Sequence, residues 1–372
     1  MRARTILAAA AALAFVGCSK SNEPVKASAS GTAPSAGAGG SAPPPSGGEK
    51  VTLQGAGATF PFPLYSKWVD EYQKSKPGVR INYQSIGSGG GIKQITEKTV
   101  DFGASDAPMN DEELAKAQGK ILHIPTTLGS VVLAYNLDGV QTGLKLTPEV
   151  LSAIFLGEIK EWNDPKLVEL NPDAKLPKVA ITVAYRTDGS GTTAVFTDYL
   201  AAVSPAWKEK VGAGKSVRFP VGLGAKGNEG VSGQVKTSPG TIGYIELAYA
   251  KQTGLSYATL RNAAGKFVEP SLESITAAGG SVVASLPEDL RKNIVNPAGE
   301  AAYPLSAFTY ILVYQDMPDA TKARALVDFL WWAVHDGQKL GGALHHAPLP
   351  AEMVARNEAL LKSITAGGKP VL

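Results

Sequence analysis

Residues 186–196 read RTDGSGTTAVF, a guanidinium, a carboxylate and several hydroxyls placed around two glycines. A strand pattern over 179–184 precedes them, and Val195, Phe196, Tyr199 and Leu200 mark an amphipathic helix after them. The first turn of a helix carries unpaired N–H groups and a partial positive charge, so this junction is suited to an anion. Ser190 falls at the N-cap, and Gly191 and Thr192 offer the amides. Arg186 adds a planar fork of donors that matches a tetrahedral oxyanion. Asp188, two residues on, either holds that guanidinium or closes an Asx-type turn.

Two other turns carry related chemistry. GAGATFP at 55–61 lets backbone approach a ligand and offers the Thr59 hydroxyl ahead of a helix, and GSGGG at 87–91 presents Ser88 just after a strand. Each turn alone also reads as a tight turn with a cap, and three in one chain favour a site. Asp106, in DFGASDAP, adds the opposite property. A carboxylate beside an anion repels it unless the anion has a proton to donate. Phosphate at neutral pH has such a proton and sulfate does not, so Asp106 could accept one and reject the other.

Other chemistries fit poorly. No Gly-Lys-Ser/Thr closes a phosphate loop of the nucleotide-binding kind, and GAGATF lacks the third glycine of a dinucleotide fingerprint. Ser190 lies in Asp-Gly-Ser-Gly-Thr, outside the Gly-x-Ser-x-Gly elbow, and only His123, His335, His345 and His346 could serve as bases. No histidine has metal-ligand spacing to acidic or thiol partners, so no metal and no cofactor are expected. His345 and His346 read as a solvated or partly buried pair near a turn. GLGAKGNEG at 222–230, with Lys226, reads as a structural or mobile loop rather than a fourth anion cradle, and Trp331 and Trp332 read as packing.

The elements that must position these groups alternate. Leu64, Trp68 and Tyr72 make one helical stripe after Pro61 and Pro63, Val79, Ile81 and Tyr83 alternate as a strand, and a helix follows from Ile92. Thr147-Pro148 opens another helix, and Leu326, Phe329, Leu330 and Val334 form the strongest stripe. This alternation predicts an α/β fold, and 372 residues with 44% hydrophobic content suffice for two cores.

The N-terminus has a different character. Residues 1–17 pair Arg2 and Arg4 with a short apolar run, as an export signal does, and the run is shorter than the roughly 20 residues that span a bilayer. Cys18, the only cysteine, excludes disulfides within the chain and sits where bacterial lipoproteins place their lipidated cysteine. Phe15 stands where that motif usually has an aliphatic residue, and an ordinary secretory signal with an incidental cysteine is the alternative. Residues 19–49, rich in Ser, Gly, Ala and Pro, read as a flexible tether with a reach of about 30 Å. Removing 1–17 lowers the formal charge from +3 to +1, which argues against nucleic acid as a partner.

In order along the chain, GAGATFPFPLYSKW, INYQSIGSGGGIKQI, VDFGASDAP, RTDGSGTTAVFTDYL, VGLGAKGNEG and GTIGYIELAYAKQ resemble the periplasmic phosphate-binding proteins of bacterial phosphate ABC transporters. The resemblance runs from about Leu53 to the C-terminus and is densest over 55–250. It implies a type II periplasmic binding fold: two α/β lobes, 50–131 with 304–372 and 132–303, joined by crossings near 130–135 and 303–308. It also implies phosphate held in the interlobe cleft by Thr59, the Phe60 amide, Ser88, Asp106, Arg186, Ser190, Gly191 and Thr192, with Asp188 orienting Arg186. The implied protein is a monomeric, non-enzymatic receptor, exported, anchored to the membrane by a lipid on Cys18 and delivering phosphate to permease subunits. The alternatives are another oxyanion on the same fold (sulfate, molybdate or a phosphonate), a serine-dependent phosphatase, and an adhesin that keeps only the scaffold.

Overall fold

The computed structural model describes residues 50–372. The export signal, Cys18 and the tether expected at 19–49 lie outside the described residues. Among the described residues no helix is long and apolar enough to cross a membrane.

A nine-stranded sheet organises the molecule. Its strands are β1 (Val51–Gly57), β2 (Val79–Ser85), β3 (Phe102–Ser105), β4 (Ile121–Tyr135), β5 (Thr182–Arg186), β6 (Leu223–Ala225), β7 (Thr241–Glu246), β8 (Ser256–Tyr257) and β9 (Ser306–Tyr314). The order is β2-β1-β3-β9-β4-β7-β5-β6, with β8 added to β4. β1 runs parallel to both β2 and β3, as strands joined by crossing helices do. The glycines of the first turn are demanded by packing: Gly57 has φ +147°, and a Cβ there would meet the Ala104 carbonyl oxygen at 2.1 Å.

β4 is buried along its whole length, and its sequence, ILHIPTTLGSVVLAY, is mostly apolar on both faces, with His123, Thr126, Thr127 and Ser130 buried among the apolar residues. It pairs antiparallel with β9 from Ile121 to Ser130, then with β7 from Val131 to Tyr135. One strand therefore belongs to two half-sheets, and the hand-over falls between Ser130 and Val131, where the Val131 amide donates to Leu305 O at 2.8 Å. The fold is the two-lobed periplasmic binding type, with one half-sheet in each lobe.

The helical stripes close the cores. Helix α1 (Phe62–Ser75) buries Leu64, Trp68 and Tyr72 at four-residue spacing. Tyr72 packs against Phe329 and Trp332 of the C-terminal helix Ala320–Val334, with ring centroids 5.1 and 5.4 Å apart. Trp68 donates from Nε1 to Gly337 O at 2.7 Å. The two ends of the described chain thus pack against one another. Aromatic residues fill the other core: Phe155, Phe196, Trp207, Phe219 and Tyr244 interlock with centroids 4.5 to 6.4 Å apart. Each such buried ring contributes about 1.5–3 kcal/mol of transfer free energy, which anchors the short site loops to rigid supports.

Candidate functional site

β5 carries Arg186 at its C-terminal end. The Arg186 amide donates to the Tyr244 hydroxyl at 3.0 Å, which fixes where the strand stops. Ser190 caps helix α3 (Gly191–Val203), its Oγ accepting from the Thr193 amide at 3.0 Å. The Ser190 amide donates to Lys215 O, so the loop is held from behind while the first-turn amides point outward.

The Arg186 side chain is almost wholly buried, and Asp188 holds it bidentately, with Nε–Oδ1 at 2.8 Å and Nη2–Oδ2 at 2.5 Å. Burial works against the Asp188 carboxylate, but Arg186 and the Gly227 amide, 3.0 Å from Oδ1, hold its pKa below the ordinary value. An Asx turn alone would not need such a partner. With Nε and Nη2 engaged by Asp188, the guanidinium turns its Nη1 edge toward Thr192, 3.4 Å away.

Three loops of the other lobe meet this helix. Thr59 and Phe60 follow β1, Ser88 opens helix α2 (Ser88–Thr96), and Asp106 follows β3, and all four are buried. Ser88 Oγ lies 3.4 Å from Asp106 Oδ2. The lobes are closed on one another: the Gly89 amide donates to Gly189 O at 2.8 Å. A Cβ on Gly191 would lie 2.6 Å from Ser88 Oγ and 2.7 Å from Asp106 Cβ. Lys215 adds a bridge, donating from Nζ to Glu113 Oε2 at 2.7 Å and Pro108 O at 3.0 Å across the cleft. The structure thus brings together Thr59, Phe60, Ser88, Asp106, Arg186, Ser190, Gly191 and Thr192, from two lobes, in one buried cluster.

Within it, Asp106 differs in kind. Burial pushes its pKa up to about 7, offset in part by the Thr309 hydroxyl, 2.8 Å from Oδ1, and by Arg186 and Ser88. Donors therefore surround a single acceptor, an arrangement that suits an oxyanion carrying one proton. Ser190 Oγ is engaged by its own helix, and none of the four histidines hydrogen-bonds to it. Among the described residues no group of three or more His, Cys, Asp or Glu side chains could hold a metal ion.

A family model for the PBP superfamily domain matches residues 29–336. A phosphate-binding protein PstS of Xylella fastidiosa is 44% identical over 95% of this chain and 96% of its own. One from Pasteurella multocida is 47% identical, covering 84% of this chain and 90% of its own. The chain belongs to the PstS family of phosphate-binding proteins. Solved structures share the fold at lower identity. A high-affinity periplasmic phosphate-binding protein solved with phosphate has TM-score 0.67 at 23% identity, over 83% of this chain and 93% of that one. The Stenotrophomonas maltophilia phosphate-binding protein has TM-score 0.64 at 21% identity, over 84% and 93%.

Two residues that hydrogen-bond to the cluster escaped the sequence reading. Thr309 lies inside the buried strand β9 and reads there as core. Asn228 lies in GLGAKGNEG, where the eye falls on Lys226; Lys226 is exposed, whereas Asn228 is fully buried and bonds to Thr59 and Thr192 at 2.7 and 3.2 Å. The available signal was the loop's own form, a strand-to-helix glycine turn like the other three. His346 also departs from expectation. It is fully buried beneath Phe60, ring centroids 6.1 Å apart, and burial lowers its pKa to about 4, so it stays neutral at physiological pH. Its neighbour His345 is half-buried.

Proposed function

We propose that this protein binds inorganic phosphate between lobes formed by residues 50–131 with 304–372 and by residues 132–303, and passes it to the permease subunits of a phosphate ABC importer. The observation that carries the reading is the buried cluster of one proton acceptor, Asp106, among donors from Arg186, Ser88, Thr59 and the first turn of α3. Phosphate supplies one proton and needs donors elsewhere; sulfate and molybdate supply none. The names of relatives 44–47% identical over most of their length support the same ligand. In this reading Thr59, the Phe60 amide, Ser88, Arg186, Ser190, Gly191 and Thr192 contact the anion, Asp106 accepts a hydrogen bond from its O–H, and Asp188 aims Arg186.

The protein acts as a receptor and not as an enzyme. It is exported as a monomer and carries a lipid on Cys18, so that residues 19–49 let the lobes work within reach of the permease. Calorimetric titration with phosphate and, separately, sulfate at neutral pH tests the ligand: one-to-one phosphate binding without a sulfate response is expected, and silence with phosphate overturns the reading. Replacing Cys18 by serine is expected to move the protein from the membrane fraction to the soluble one; unchanged membrane association refutes the anchor.

A further inference from the structure

Asn228 touches two hydroxyls at once. Its Oδ1 accepts from the Glu246 backbone amide at 3.0 Å, which fixes the orientation of the side-chain amide, because a flip would set N–H against N–H. Nδ2 is then left with two hydrogens, one for Thr59 Oγ1 at 2.7 Å and one for Thr192 Oγ1 at 3.2 Å. The Asn228 backbone amide donates to Thr59 Oγ1 as well, at 3.1 Å. Thr59 Oγ1 thus accepts twice, and Thr192 Oγ1 also accepts twice, from Asn228 and from Arg186 Nη1 at 3.4 Å. A hydroxyl oxygen has two lone pairs and one hydrogen. With the lone pairs of both threonines engaged, each can only donate to a further partner.

We infer that Asn228 is a specificity-determining positioning residue: it locks Thr59 and Thr192, one from each lobe, as donors, so that the ligand oxygens facing them must be unprotonated. This rests on the phosphate reading above. Asp106 then accepts the one ligand proton that the cluster accommodates, and Asn228 sets the site against a second. Dihydrogen phosphate would have to turn its second hydroxyl toward a locked donor, whereas monohydrogen phosphate would not.

The test is a double-mutant cycle on the purified full-length protein, titrated with inorganic phosphate: wild type, N228A, T59V and T59V/N228A. N228A is expected to weaken phosphate at least 10-fold at pH 8, and by a smaller factor at pH 5.5, where freed hydroxyls can turn to accept from dihydrogen phosphate. In T59V/N228A the combined loss is expected to fall well short of the product of the two single losses, because only the Thr192 bond is left for the second substitution to remove. Factors that multiply in the double variant, or an N228A penalty equal at both pH values, overturn the inference. Wild type that binds no phosphate overturns the functional reading instead. If circular dichroism shows that N228A does not fold, N228S takes its place, since one hydroxyl hydrogen cannot serve both threonines, and the same two outcomes decide.

Discussion

Replacing Asp106 with asparagine exchanges the cluster's acceptor for a donor at nearly constant shape. A hydrogen bond to a charged group contributes about 1.5–3 kcal/mol, so phosphate affinity is expected to fall by roughly 10- to 100-fold. Sulfate moves the other way. Monohydrogen phosphate and sulfate carry the same charge, so the carboxylate's repulsion cancels in their ratio; what differs is that the asparagine amide can donate to the bare sulfate oxygen that faced Asp106, a gain of similar size, about 1.5–3 kcal/mol. Competition calorimetry should therefore show the phosphate-over-sulfate ratio collapsing by about a hundredfold or more. A stability measurement checks the same residue without ligand. Below pH 3.8, the ordinary value, Asp106 is protonated in both folded and unfolded chains. Between there and about 7 the unfolded chain releases the proton and the folded chain keeps it, so stability falls as pH rises. Above about 7 both are ionised and the slope ends. The full span corresponds to about 4 kcal/mol, reduced to the extent that the lobes open and rehydrate the carboxylate. D106N should lack this slope and melt above wild type at pH 8. An unchanged selectivity ratio, or melting profiles that superimpose from pH 4 to 8, would refute the account of Asp106.

Gly191→Ala places a methyl against Ser88 and Asp106 of the opposite lobe; melting without ligand should hold or rise slightly, because alanine favours the helix, while phosphate Kd rises at least 100-fold. A normal Kd for G191A would mean that the closed packing is not the binding geometry. Lys215→Met removes the Glu113 and Pro108 bridge. A partly exposed pair contributes about 1 kcal/mol, so stopped-flow release of phosphate should quicken about 5-fold and lose part of its salt dependence; an unchanged rate would show that the bridge plays no part in closure. Arg186→Lys keeps the charge and loses the two-pronged grip of Asp188, and phosphate binding should weaken at least 100-fold, whereas a loss under 10-fold would show that geometry matters less than charge.

How much of this was legible beforehand depended on sequence distance. Strand-to-helix glycine turns are local signals, so the loops of Thr59, Ser88 and Ser190 and the cap on α3 could be read from a few neighbours each. The Leu64, Trp68, Tyr72 stripe was equally local. Asp188 as the partner of Arg186 needed only two residues of separation, yet its choice between guanidinium and turn is a matter of rotamer, which the sequence does not encode. Thr309 reaches Asp106 across 203 positions, because β9 inserts between β3 and β4. Asn228 reaches Thr59 across 169, because closure lays one lobe's helix end on the other lobe's loop. Contacts made by strand order and closure leave no periodicity behind, so both residues looked like ordinary filling. His346 was misread for the related reason that its neighbour Phe60 comes from the far end of the chain.

Because β4 passes from one half-sheet to the other without a break, relative movement of the lobes has no slack segment to absorb it. It must be taken up as twist of a ribbon held by β9 from Ile121 to Ser130 and by β7 from Val131 to Tyr135. Such a ribbon behaves as a torsion bar: it stores work when wound and returns it when released. Its amide protons from Ile121 to Tyr135 should exchange slowly with solvent whether ligand is present or absent, while those of residues 187–190 exchange far faster without ligand. The bar would then set the resting separation of the lobes, and stiffening or loosening it, far from any ligand atom, would tune how readily phosphate escapes.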